Sequence, residues 1–198
     1  MAIPRHPDPI ALFQKWLKEA KKSDLDEPTA FTLATVDAHG RPSARVLLLK
    51  NVDERGFVFY TNLKSRKGRE LRENPFTTLC FYWMPLCKQV RVEGRAELVS
   101  PEEADAYFAS RARESQLGAW ASKQSEPLEG RFELERRVAK YAIQFNVRKV
   151  PRPEFWSGYR VTPDRIEFWQ ALPFRLHDRL LYTRDPESGG WSMQALFP

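Results

Sequence analysis

AFTLATV at residues 30–36, DAHGRP at 37–42 and SARVLLLK at 43–50 read in succession as strand, turn and strand. The outer two segments are rich in β-branched and large apolar residues, and the middle one carries Asp37, Gly40 and Pro42, which interrupt regular structure. The same pattern continues downstream. Phe57 to Thr61, Thr77 to Trp83 and Gln89 to Val99 are β-branched and aromatic runs, parted by turn signals at Asn51 to Gly56 and at Asn74 with Pro75. An antiparallel meander is expected here. Strands are expected again at Gly158 to Val161, Arg165 to Gln170, His177 to Thr183 and Trp191 to Leu196. Many short strands with turns favour a barrel or sandwich over a parallel α/β sheet.

Helices fit around this sheet. Asp8 and Pro9 form an N-cap and first helical residue, and Ile10, Phe13, Trp16, Leu17 and Ala20 then repeat at helical spacing. Ser65 to Glu73 suits a short basic helix capped by Ser65. Pro101 to Ser110 and Ser115 to Ala121 read as two more, and Leu134, Val138, Tyr141 and Phe145 give a longer one its apolar stripe. The expected class is therefore mainly β with peripheral helices, α+β overall.

The chain has 198 residues, 42% hydrophobic and 29% charged, with a formal net charge of +6. That length suits one well-buried core, so a single domain is expected, with residues 1–27 a helical extension and 28–198 the barrel. No apolar run approaches the roughly 20 residues of a spanning helix, and no secretory signal is visible after Arg5 and His6. A cytoplasmic location, no membrane and free thiols at Cys80 and Cys87 are the expectations, the two cysteines flanking a hairpin turn. Neither cysteine has the spacing or His partners of a metal site. The positive charge suits an anionic partner, and its scatter among strands and helices speaks against nucleic acid.

Several clusters suit anion binding. Tyr60 and Thr61 end one strand while Ser65, Arg66 and Lys67 open the next helix, bringing backbone N–H groups, a hydroxyl and two cations together. Cations at a helix start oppose the macrodipole, so they make better sense with an anion between them and the helix. Tyr107 and Arg111, four residues apart, share a helix face and can reach one anion, although a solvated helix end reads the same way. In an extended strand Arg175, His177 and Arg179 project to one face, suiting either a bound anion or the wet side of an edge strand. Arg45 to Lys50 is an apolar run with a cation at each end, which is also how a buried strand with snorkelling termini looks.

Together with Ile166, Glu167, Phe168, Trp169 and Gln170 before the Arg175 to Arg179 segment, these motifs give the chain its resemblance to the pyridoxine (pyridoxamine) 5'-phosphate oxidase family, from about Pro28 to Trp191. The resemblance implies a homodimeric antiparallel split β-barrel with FMN at the subunit interface. It implies oxidation of pyridoxine or pyridoxamine 5'-phosphate to pyridoxal 5'-phosphate, with hydride passing from C4' to flavin N5 and dioxygen reduced to hydrogen peroxide. Matched FMN positions are Arg45, Val46, Leu47, Leu48, Leu49, Lys50, Tyr60, Thr61, Ser65, Arg66, Lys67, Gln89, Gln124, Ser125, Trp169 and Arg179. Matched substrate positions are Lys50, Tyr107, Arg111 and Ser115 for the phosphate, and Arg175 and His177 over the ring, the last two also the catalytic pair. No single subunit is expected to supply the full set.

Members of that family end in arginine, leucine, a variable residue and proline, whereas Ala195, Leu196, Phe197 and Pro198 stand here. The alternatives are a split-barrel flavin oxidase acting on another ring such as a phenazine precursor, a flavin- or pyridoxal-phosphate-binding protein without turnover, and a nucleic-acid-binding barrel.

Overall fold

A computed structural model describes residues 3–198. Helix α1 (Pro9–Ala20) begins where the sequence places it, with the Asp8 carboxylate accepting from the Ile10 N–H at 2.8 Å. Nine strands follow in one sheet: β1 (Ala30–Val36), β2 (Pro42–Leu48), β3 (Asn51–Asp53), β4 (Gly56–Asn62), β5 (Phe76–Trp83), β6 (Lys88–Leu98), β7 (Trp156–Gln170), β8 (Asp178–Arg184) and β9 (Trp191–Ala195). Helices α2 (Arg66–Glu73), α3 (Pro101–Ser110), α4 (Arg113–Ala121) and α5 (Glu133–Phe145) lie between them.

Every pairing is antiparallel, yet the first half is not the simple meander its sequence suggests. The order runs β2-β1-β5-β6-β7-β4-β3, with β8 and β9 branching from β7. After β4 the chain crosses through α2, so β5 pairs with β1 while β4 pairs with β7. The segment Asn51 to Gly56, expected as a turn, holds the short strand β3, which pairs back on β4.

Strand β7 is the hinge of the architecture. Its first half pairs with β4, its second half with β8, and β6 runs along its other edge. The break expected between Val161 and Arg165 is absent, because a bulge absorbs it: Glu93 faces Arg165, Gly94 faces Pro163, and Asp164 is the extra residue. A Cβ on Gly94 would meet the Thr162 carbonyl oxygen at 2.1 Å, so only glycine permits this approach. Forking at β7 curls the sheet into a half-barrel.

The curl closes on an aromatic core. Phe13 of α1 meets Phe57 and Phe81 edge-on at 4.8 and 4.9 Å, and Trp16 meets Phe168 at 5.1 Å. Phe13, Phe57, Phe81 and Phe168 are fully buried, and truncating one such ring costs about 3–5 kcal/mol. A smaller cluster of Phe108, Leu117, Phe145, Val150 and Trp156 joins α3, α4 and α5 to the start of β7. The predicted stripe of α5 is only partly used, since Leu134 stays exposed and only Phe145 of that helix is buried.

Cys80 faces Arg91 across β5 and β6, whereas Cys87 caps the turn at Met84–Leu86, so the two thiols are free and are not opposed across the hairpin. Among the described residues no helix is long and apolar enough to cross a membrane.

Candidate active site

A cavity of about 410 Å³ opens where the end of β4 meets α3, α4 and the first residue of β7. Lys50, Tyr107, Arg111 and Ser115, read from the sequence as one group, all line it. Tyr60, Thr61, Gln124 and Leu47 line it too.

Arg111 is the C-cap of α3, and its extended backbone (φ −74, ψ 149) ends the helix there. Its guanidinium lies 4.8 Å from the Trp156 ring centroid and 5.6 Å from that of Phe108. The Nη1 donor is buried without a partner, an arrangement that calls for an acceptor. Burial lowers the pKa of Arg111, opposed by the nearby Tyr107, but an arginine remains charged throughout the working range. Tyr107 stacks on Tyr60 at 3.9 Å and 11°, and Tyr60 on Trp156 at 5.3 Å and 9°. Burial, with the charge of Glu103, pushes the Tyr60 hydroxyl up to about 12, so it remains a donor.

Beside the cavity, α2 begins. Ser65 caps it, its Oγ accepting from the Gly68 N–H at 3.3 Å, and a Cβ on Gly68 would meet the Leu63 carbonyl oxygen at 2.4 Å. Glycine at 68 therefore lets the helix start sit tight against the end of β4. Lys67 is buried, and its Nζ donates to Gln124 Oε1 at 2.9 Å, Thr61 Oγ1 at 3.2 Å and Ser65 Oγ at 3.4 Å. It forms no ion pair among the described residues. Burial first, and Arg45 second, bring its pKa down to about 8, against an upward pull from Glu70. Ser125, held at φ +74, accepts from the Arg66 N–H at 3.2 Å, so the loop at Gln124 and Ser125 is clasped to the helix start.

Arg45 does not enter the cavity. It donates to Thr35 Oγ1 and Ser43 Oγ and lies 3.3 Å from Glu70 Oε2. Glu70 is buried, also accepting from Thr35 at 2.5 Å, Ser43 at 2.7 Å and Arg66 Nε at 2.8 Å. Burial pushes its pKa up, but the bonds from Thr35, Ser43 and Arg66 and the Arg45 charge outweigh that and bring it down to about 2. Its ionised form therefore stabilises the fold above pH 4.5, the ordinary value, and that contribution fades as pH falls toward about 2. Glu70→Gln is expected to lose about 3 kcal/mol at pH 7 and to flatten the acid limb between those values. Denaturant unfolding at pH 7, 4 and 3 checks this, and parallel curves for the two proteins would refute it.

Strand β2 ends at Leu48, so the expected strand to Lys50 stops short. Alternation also divides its residues. Arg45 and Leu47 share a face with the core-facing Leu33 and Phe31, whereas Val46 and Leu48 point to the other side of the sheet, where Val46 is 66% exposed. Leu49 is buried in the core.

A second group of predicted residues sits elsewhere. Gln89, Trp169 and Arg179 lie directly opposite one another on β6, β7 and β8, forming one row on the outer face of the sheet with Tyr82 at its end. Glu167 holds Arg179 at 2.9 Å and Arg91 at 2.7 Å. The His177 ring lies 4.8 Å from that of Trp169, and its Nδ1 accepts from the Leu172 N–H at 3.3 Å.

Arg175, His177 and Arg179 do not form the flat strand row expected of them. Arg175 ends the 3-10 turn Pro173–Arg175, with Phe174 and Arg175 at φ 60 and 62, and β8 begins only at Asp178. None of Gln89, Trp169, Arg175, His177 and Arg179 lines the cavity. Sequence reasoning missed Trp156, Asn62 and Glu70. Only Glu70 carried a local signal, standing four residues after Arg66 on the same helix.

A half-barrel antiparallel sheet with this helix-start cluster at its rim has the fold of the FMN-binding split barrels. A Nostoc punctiforme protein described as pyridoxamine 5'-phosphate oxidase-related and FMN binding shares that fold, with a TM-score of 0.75 at 19% identity over 95% of this chain and 96% of its own.

The chain belongs to the pyridoxamine 5'-phosphate oxidase family, whose model matches residues 17–145, and the model of the pyridoxine 5'-phosphate oxidase C-terminal dimerisation region matches residues 156–198. A pyridoxine/pyridoxamine 5'-phosphate oxidase of Myxococcus xanthus is 59% identical over 97% of this chain and 92% of its own, and one of Rubrobacter xylanophilus is 60% identical over 97% and 88%. PhzG from Burkholderia lata, solved with tetrahydrophenazine-1-carboxylic acid, superposes with a TM-score of 0.91 at 36% identity, covering 98% and 94%.

Proposed function

We propose that the protein oxidises pyridoxine 5'-phosphate and pyridoxamine 5'-phosphate to pyridoxal 5'-phosphate, as an FMN-dependent homodimer using dioxygen. The observation that carries this reading is Arg111, whose buried and unpartnered Nη1 adjoins a cavity lined also by Lys50, Tyr107 and Ser115. Two cations, a phenol and a hydroxyl around one space suit a phosphate monoester, whose charge is about −1.5 to −2 at neutral pH.

The residues around α2 fit FMN. Lys67 is a buried cation with only neutral acceptors, and Arg66 stands beside it at a helix start that has no acid in its first turn. Arg66, Lys67 and the Ser65 hydroxyl would hold the flavin phosphate, with Tyr60, Thr61, Gln124 and Ser125 around it. FMN, once bound, supplies hydride acceptance from C4' and passes the electrons to dioxygen, giving hydrogen peroxide.

The protein's own part is binding, orientation and proton placement. Arg175 and His177 position the pyridine ring, and because His177 Nδ1 accepts the Leu172 N–H, the neutral ring carries its hydrogen on Nε2, which is left as a hydrogen-bond donor. Gln89, Trp169, Arg175, His177 and Arg179 come from a second copy of the chain. Two features support that: they lie apart from the cavity, and their face of the sheet also exposes Val46 and Tyr82 at 66% and 57%.

A second reading, an oxidase of a phenazine-type ring, is favoured by the likeness to PhzG. The cluster around Arg111 argues against it, since a carboxylate on such a ring leaves part of that donor set unmatched. Anaerobic mixing of FMN-loaded protein with pyridoxine 5'-phosphate tests the choice. The flavin band is expected to bleach, then recover in air with release of pyridoxal 5'-phosphate. A yellow protein that bleaches only with a dihydrophenazine carboxylate would overturn the first reading in favour of the second.

A further inference from the structure

We propose that Glu70 is a positioning residue for FMN: from beneath the helix start it fixes Arg45 and Arg66 in place and keeps their combined charge matched to one phosphate. This rests on the reading above that the flavin phosphate sits at the start of α2.

The geometry is specific. One carboxylate oxygen takes Arg66 Nε at 2.8 Å, and the other takes Thr35 at 2.5 Å, Ser43 at 2.7 Å and Arg45 at 3.3 Å. Arg45 also donates to Thr35 and Ser43, so two hydroxyls relay its contact to the same oxygen. Strands β1 and β2 are thereby tied to α2 through one buried acid. Thr35 and Ser43 are direct partners in the β1–β2 register, which places their hydroxyls side by side under the helix.

Arg45, Arg66 and Lys67 carry three positive charges and Glu70 one negative, leaving a local +2 against a phosphate monoester of about −1.5 to −2. On charge alone, removing Glu70 should tighten FMN. The structure points the other way. Lys67 is buried and Arg45 mostly so, whereas Arg66 reaches solvent, and of the two desolvated cations the one able to give up its proton is Lys67. Arg45 and Glu70 are the charged groups acting on Lys67, the first lowering and the second raising its pKa of about 8. Without Glu70, Lys67 turns neutral at lower pH and the two arginines lose the acceptor that fixes their direction.

The test is FMN affinity, read by quenching of flavin fluorescence across pH 6 to 9 in wild type, Glu70→Gln and Ser43→Ala. Glu70→Gln is expected to bind FMN about tenfold more weakly at pH 8, and its loss of affinity with rising pH to begin at a lower pH than in wild type. Ser43→Ala retains every charge and removes one strut, so about a threefold weakening is expected. It also decides the matter should Glu70→Gln not fold. Equal or tighter binding by Glu70→Gln, with an unmoved pH limb, or unchanged binding by Ser43→Ala, would overturn the assignment while leaving the oxidase reading intact. Failure of the wild type to bind FMN would overturn both.

Discussion

Arg111→Met is expected to raise the KM for pyridoxine 5'-phosphate by about a hundredfold or more while FMN affinity stays within about twofold. Methionine keeps most of the side chain's length and its packing against Trp156 and Phe108, so what is removed is the charge and its donors. Two or three charge-assisted bonds to a phosphate, each contributing about 1.5–3 kcal/mol, set the size of the effect. Thr61 and Gln124 of the flavin group line the same cavity as Arg111, but no hydrogen bond joins Arg111 to the Lys67 cluster among the described residues. Stability should move the other way. A buried Nη1 without a partner is a desolvation cost in the free protein, so its removal is expected to leave the melting temperature unchanged or raised. Steady-state kinetics beside a thermal melt reads both quantities. An unchanged KM would remove Arg111 from the substrate site, and a large fall in FMN affinity would mean that it serves the cofactor instead.

The contrast between this site and its sequence is instructive. Local signals read well because they are made locally: Asp8 with Pro9 opens α1, Ser65 caps α2, and the alternation of Ala30–Val36 gives β1 its bounds. Which strand lies beside which is not local. β4 and β5 have the same β-branched, aromatic texture, and only the crossover through α2 sends one to β7 and the other to β1. Gly158 to Val161 and Arg165 to Gln170 read as two strands, yet they are one, because Pro163 sits at a bulge opposite Gly94 that needs no donor there. The turn at Pro173–Arg175 was invisible for another reason. It sets Phe174 and Arg175 at positive φ without a glycine or asparagine to announce it. For the site, the residue types were legible as anion-binding clusters, and the resemblance named their positions. Their division into a cavity group and an outer-face row appears only once the sheet is folded, because it depends on which face of β6, β7 and β8 each side chain takes.

An effect as large is expected of Lys67→Met, for which FMN affinity at pH 7 should fall about a hundredfold or more. Lys67 lies under the surface with Thr61, Ser65 and Gln124 as its acceptors, and a buried ammonium held only by neutral groups is unfavourable until an anion arrives. Its pKa of about 8, against an ordinary 10.5, expresses that cost. A lysine whose pKa is depressed in the folded state opposes folding at every pH below its unfolded value, and most strongly below about pH 8. The methionine variant is therefore expected to melt higher than wild type when both are free of flavin, although it binds flavin far worse. The wild type carries a further signature. Binding a phosphate favours charged Lys67, so FMN affinity should hold steady below about pH 8 and decline above it, a limb that the methionine variant lacks. Flavin titrations at pH 7 and 9, with melts of the free proteins, separate the two effects. Equal affinity in the variant would mean that the phosphate is held elsewhere. A lower melting temperature in the flavin-free variant would mean that Lys67 is a structural cation, whatever else it binds.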